Sequence, residues 1–173
     1  RIVIPVSLGA IFIRLGNFFN SEIVGTETTS AFGIKFLRDK YNANDAMQIT
    51  QIGDKNEAYN TIATNPQFVE YLAAVTPKHP AQLYEAISYV FVFAILMFLY
   101  WKTEARNKAG YLFGLFLILL WSIRFVVEFV KESQGGFEQY SIFNALSTGQ
   151  WLSIPFILIG FYFVWKAKEV KEV

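Results

Sequence analysis

The chain has 173 residues, enough for one domain, and combines an apolar fraction of 54% with a mean hydropathy of +0.34 and a formal net charge of only +1. That balance sets a water-soluble globule at a disadvantage and leaves no basic field to draw nucleic acid. Cysteine is absent, which excludes disulfides, thiolate metal sites and a cysteine nucleophile, so any thiol in the chemistry belongs to a partner.

Arg1 is followed at once by an apolar run, with no Met, signal-peptide n-region or cleavage site, which predicts a fragment or a chain lacking upstream helices. Apolar residues continue through Ile13 and then meet Arg14. A helix over residues 2–20 therefore spans a bilayer if that arginine faces protein or water. From about Thr26 to Lys78 the sequence is polar and punctuated by Gly, Asn and Pro. It reads as a small ordered cap, with strand-like pieces at residues 32–37 and 47–52 and a helical piece around residues 66–74. Three charge-free stretches follow, residues 86–101, 109–123 and 139–165, and with their flanks each reaches the roughly 20 residues a spanning helix needs. Tyr100, Trp101 and Trp165 stand where an interfacial aromatic belt belongs.

Basic residues orient the helices. Lys102, Arg106 and Lys108 crowd one short loop and Lys166, Lys168 and Lys171 the tail, whereas residues 131–150 hold one basic side chain. The basic loop and tail are therefore expected in the cytoplasm and residues 26–80 outside. The expected fold is an all-α multi-pass membrane protein with about four transmembrane helices and a small external, periplasmic cap of mixed short elements. It divides into a helix with an arginine signature (1–25), the cap (26–80), and three helices with a cytoplasmic tail (81–173).

Three constellations point to chemistry. Arg14 and Asn17 lie three apart, so a continuous helix presents a guanidinium fork beside an amide, a face that suits phosphate; alternatively Arg14 pairs with Glu22 or snorkels. Arg124 and Glu128 lie four apart on an otherwise apolar helix. A charge there costs roughly 2.5 to 3.5 kcal/mol on insertion scales, so the pair serves a site or holds helices in register. In the run from His79 to Glu85, Pro80 fits a first helical turn and Gln82 with Glu85 share one face. His79, the only histidine, is either a proton carrier or a helix-start residue bonded to backbone, and Tyr84 is either a site residue or an interfacial anchor. Near the last helix, Ser147 or Thr148 caps, Gly149 allows close approach and Pro155 bends. No Gly-rich phosphate loop, paired metal-ligand motif or nucleophile elbow is present in the sequence, so neither metal nor cofactor is expected.

Taken in order, these segments resemble the prolipoprotein diacylglyceryl transferases of bacterial inner membranes. Arg14-Leu15-Gly16-Asn17-Phe18 with Asn20, Glu22 and Gly25 is similar to the family signature. His79-Pro80-Ala81-Gln82-Leu83-Tyr84-Glu85, Arg124 to Phe129, and Leu146 to Pro155 resemble three further family blocks. Ile13 stands where the family usually has Gly, Lys131 where it often has a second arginine, and the family's further N-terminal helices with a His-Gly-Gly block have no counterpart. The resemblance implies transfer of a diacylglyceryl group from phosphatidylglycerol to the lipobox cysteine thiol of a preprolipoprotein, giving a thioether and glycerol phosphate. The implied partners are phosphatidylglycerol, the preprolipoprotein signal peptide and the bilayer. Since the leaving group is a phosphate ester, positive donors are needed where its charge develops. The implied catalytic set is Arg14, Arg124, Glu128 and His79, and the implied substrate-binding set is Arg14, Asn17, Glu22, Gly25, Gln82, Tyr84, Glu85 and Arg124. In this assignment Arg14 and Arg124 hold the phosphate, Asn17 orients it and Glu128 and Glu22 position the arginines. His79, Gln82, Tyr84 and Glu85 line the external mouth. Two other classes compete: a transporter or channel fragment whose intramembrane Arg and Glu line a solute path, and a non-catalytic fragment needing a missing N-terminal half.

Overall fold

Apolar residues on every side of a segment favour a helix that buries its backbone hydrogen bonds in lipid, and the chain begins with one. In the computed structural model, which describes residues 1–132 and 146–168, α1 runs over Val3–Asn20. It stops where Ser21 turns left-handed (φ 56°): the Ser21 N–H reaches the Phe18 carbonyl at 3.0 Å and the Glu22 N–H the Asn17 carbonyl at 2.9 Å. This turn sends the chain into the cap.

The cap holds α2 (Leu37–Lys40), α3 (Ala43–Thr50), α4 (Lys55–Thr64) and α5 (Val69–Ala73). A reciprocal box between Asn42 and Asp45 starts α3, and the Asp54 side chain accepts from two backbone N–H groups to start α4. Ala46 and Ala58, both fully buried, join Tyr59 and Ile62 in a core of the cap's own. The two expected strand-like pieces are helical or irregular instead. Residues 47–50 belong to α3, because Ala43, Ala46, Met47 and Thr50 fall at helical spacing behind a strong N-cap, which outweighs the local alternation. Residues 32–36 contribute only an isolated bridge between Ile34 and Lys78, and Leu37 already begins α2. The helical piece expected over 66–74 is present as a 3-10 turn at Pro66–Phe68 followed by α5.

Three further long helices follow: α6 (Ala81–Lys102), α7 (Tyr111–Val127, prolonged by a 3-10 turn at Glu128–Val130) and α8 (Thr148–Lys166). Pro80 precedes α6, and Ser147 caps α8 through a box with Gln150. With α1 they make four helices of 18 to 22 residues, about 27 to 33 Å at helical rise, long and apolar enough to cross a hydrocarbon core. The protein is thus an all-helical multi-pass membrane protein. Phe12, Ile13, Phe91, Phe98, Phe161 and Trp165 face outward, as a lipid solvent permits.

The helices alternate in direction. Ala109 N–H bonds the Lys168 carbonyl, joining the α6–α7 loop to the end of α8, while Gly25 and Thr26 meet His79 and Val130 at the cap end. Lys102, Arg106, Lys108, Lys166 and Lys168 therefore gather at the end remote from the cap. Lys171 and residues 139–145 of the third charge-free stretch lie outside the described residues. The broadest helix contact is α7 with α8, followed by α1 with α6. Gly114 and Gly160 permit the former: a Cβ on either would come within 2.6 or 2.7 Å of the other's carbonyl oxygen. Away from the cap, Val3, Ile4, Val92, Leu96, Leu112 and Phe116 fill the bundle.

Candidate active site

Packing of α1 along α6 satisfies the condition set by Arg14. Its Nε lies 2.8 Å from Glu85 Oε2, with both side chains largely buried. The alternative pairing with Glu22 is not formed. Glu22 exposes its side chain and offers its backbone carbonyl, which accepts from Gln82 Nε2 at 2.6 Å. Gln82 and Glu85 share one face of α6 as their spacing predicts, and each is 1% exposed. Tyr89, one turn beyond Glu85 and also buried, lies in the field of Glu85, Arg14 and Arg124.

On α7, Arg124 is held by aromatic faces. Its guanidinium carbon stands 5.4 Å from the Trp121 ring centroid, and Trp121 stacks on Phe156 of α8 at 4.2 Å with planes 8° apart. The expected Arg124–Glu128 ion pair is absent among the described residues. The Glu128 backbone N–H still bonds the Arg124 carbonyl, one helical turn back, so it is the side chain that turns away from the guanidinium. Glu128 Oε2 instead lies 3.7 Å from Lys131 Nζ, and its carboxyl covers Gly149 so closely that a Cβ there would collide with it. The carboxylate thus sits on the N-terminus of α8, the positive end of that helix. Lys131 is buried, within reach of the charges of Glu85, Glu128, Arg124 and Arg14. Burial, the largest influence, lowers its pKa below the ordinary lysine value; the two carboxylates oppose that fall and the two arginines add to it.

Three basic side chains, Arg14, Arg124 and Lys131, therefore face two carboxylates, Glu85 and Glu128, a formal excess of one positive charge. Among the described residues, the buried side-chain polar atoms without a hydrogen-bond partner are Gln82 Oε1, Glu85 Oε1, Arg124 Nε and Glu128 Oε2, and all four belong to this cluster. Each such group costs about 1–3 kcal/mol when left unmade, so their concentration in one place marks a site awaiting a polar ligand. Beside it a 260 Å³ gap between α6 and α7 is lined by Ser88, Ser122, Ile123, Val126 and Val127.

The remaining expected residues stand at the rim. His79 Nδ1 lies 3.2 Å from Tyr84 Oη, and no hydrogen bond or ion pair joins His79 to either arginine among the described residues. Gly25 is a buried joint: a Cβ there would come within 2.6 Å of His79 Cβ and of the His79 and Val130 carbonyl oxygens. Its place is to let three segments cross. Asn17 is half-buried one turn along α1 from Arg14. Sequence reasoning missed Tyr89 and Lys131 as members of the cluster. The signal was the helical spacing: Tyr89 is four residues beyond Glu85, and Lys131 is three beyond Glu128 and seven beyond Arg124.

A buried, net cationic cluster between apolar helices, set beneath an extramembrane cap, defines a multi-pass membrane protein with a site suited to an anion. The chain belongs to the prolipoprotein diacylglyceryl transferase family, whose model matches residues 1–166. It is similar to proteins named phosphatidylglycerol–prolipoprotein diacylglyceryl transferase. One from Tolumonas auensis is 38% identical over 160 residues, covering 92% of this chain and 47% of the relative. Another from Bacteroides fragilis is 37% identical over 173 residues, covering 98% and 49%. A third from Chloroherpeton thalassium is 36% identical over 173 residues, covering 100% and 51%. The chain spans about half the length of the curated relatives it matches.

Proposed function

We propose that this chain acts in transferring the diacylglyceryl group of phosphatidylglycerol to the lipobox cysteine thiol of a preprolipoprotein, at the bacterial inner membrane with the cap in the periplasm. The observation that carries the reading is the buried cluster with its surplus positive charge and its unpartnered Arg124 Nε, in a chain whose relatives are named for that transfer. The orientation rests on the basic residues gathered away from the cap, since such residues are retained in the cytoplasm.

The chemistry follows from the charges. Cysteine sulfur attacks the lipid glycerol carbon that bears the phosphate ester; the C–S bond forms as the C–O bond breaks. The electron pair leaves on a phosphate oxygen, and the thiol proton passes to the released phosphate monoester or to water. Negative charge grows on phosphate, where Arg14 and Arg124 offer donors in a low-dielectric setting. Asn17 orients the phosphate from α1, Glu85 holds Arg14 by its Nε, and Lys131 adds charge from the end of α7. Glu22 presents a carbonyl to Gln82, Gly25 fixes the rim, and His79 with Tyr84 lines the external mouth through which the peptide arrives. Lipid tails lie sideways in the gap between α6 and α7.

Arg124→Ala and Arg14→Ala should each abolish thioether formation while circular dichroism reports unchanged helix content. Transfer that survives both substitutions would refute the phosphate role. A solute pathway predicts flux and no covalent product from the same protein.

A further inference from the structure

Two of the unpartnered atoms are acceptors whose direction is already fixed. Gln82 donates through Nε2 to the Glu22 carbonyl at 2.6 Å, which assigns its amide and turns Oε1 away from that carbonyl. Glu85 spends Oε2 on Arg14 Nε at 2.8 Å, leaving Oε1. The two side chains lie three residues apart on one face of α6, each 1% exposed, so bulk water does not reach them. A buried acceptor in this position calls for a donor.

The surroundings select its chemistry. An added cation would enter a cluster that already holds three basic side chains against two carboxylates, and an added anion would face two lone-pair donors. A neutral hydroxyl satisfies both conditions, and two acceptors match two hydroxyls. Arg14 shares the Glu85 carboxylate, so a phosphate on Arg14 carries its ester substituent next to the pair. We propose that Gln82 Oε1 and Glu85 Oε1 form a headgroup subsite that accepts hydrogen bonds from the hydroxyls of a phosphodiester lipid's glycerol headgroup. This subsite rests on the functional reading above and makes it specific: the pair selects a hydroxylated headgroup over one of equal charge and size.

Native mass spectrometry of the detergent-solubilised chain would compare short-chain phosphatidylglycerol with phosphatidylpropanol of the same acyl chains, which keeps the phosphodiester and loses both hydroxyls. The wild type should bind phosphatidylglycerol about 10-fold more tightly, the scale of one or two buried hydrogen bonds. In Gln82→Leu that ratio should fall toward one, and in Gln82→Glu, which retains an acceptor, it should stay above that of the leucine variant. Equal wild-type affinities would overturn the subsite, leaving water as the partner of the pair, with the transferase reading intact. A wild-type ratio preserved in Gln82→Leu would also overturn it. Saturable binding of neither lipid would overturn the transferase reading and the subsite together.

Discussion

Arg14 and Arg124 are anchored by opposite means. Arg14 is tied through Nε to a carboxylate, whereas Arg124 rests against an indole that is itself stacked on Phe156, and its buried Nε has no hydrogen-bond partner among the described residues. Cation–π contacts contribute about 0.5 to 2 kcal/mol, so Trp121→Leu should weaken lipid binding by about 2- to 30-fold, with Trp121→Phe restoring most of it. A double-mutant cycle with Arg124→Ala checks this: no added loss in the double variant is the expected result. Gly25→Ala should lower the melting temperature sharply, because overpacking costs about 1–3 kcal/mol and the colliding atoms, His79 Cβ and the His79 and Val130 carbonyl oxygens, are fixed by the backbone. At this scale the sequence disclosed which residues carry charge and which share a face, as with Gln82 and Glu85. It did not disclose their partners. Arg14 finds Glu85 on a helix far along the chain, and Glu128 leaves Arg124 for Lys131 and α8, choices made by helix packing.

Elements were legible where composition or a cap decides them. The four long helices follow from apolar length, and Ser147 with Gln150 and Pro80 mark two of their starts. Residues 47–52 misled because Met47, Ile49 and Ile52 alternate in part with polar neighbours, while the helix is set by Asn42 and Asp45 upstream. Between elements, Gly114 and Gly160 hold α7 against α8, so Gly114→Leu should separate these helices and abolish the folded, monodisperse state seen by size-exclusion chromatography. The cap is fastened by Lys78, whose Nζ lies 2.8 Å from both Asp39 Oδ2 and Glu132 Oε2. Burial works against the Lys78 charge, but the hydrogen bonds and charges of Asp39 and Glu132 outweigh it and raise its pKa above the ordinary lysine value. A raised folded-state value means the stabilisation is complete below the ordinary lysine pKa and fades as pH climbs through the folded one. The difference in melting temperature between wild type and Lys78→Met should therefore be constant from about pH 7 to about pH 10 and shrink above that range.

Taken as a whole molecule, an apolar bundle carries charge in its interior, among the described residues, only at the cap end, where α1, α6, α7 and the start of α8 converge. Placing charge there is costly in lipid and is sustained by pairing, stacking and a helix terminus, with donors and acceptors left over for a ligand. Transfer of diacylglycerol from an anionic lipid is the chemistry we propose for these features. The most direct measurement is the intact mass of a lipobox-cysteine peptide after incubation with the chain and phosphatidylglycerol in detergent, with a cysteine-to-serine peptide as control. A gain of one diacylglyceryl group on the cysteine peptide alone is the predicted result; an unchanged mass for the cysteine peptide, or an equal gain on the serine control, would contradict the assignment.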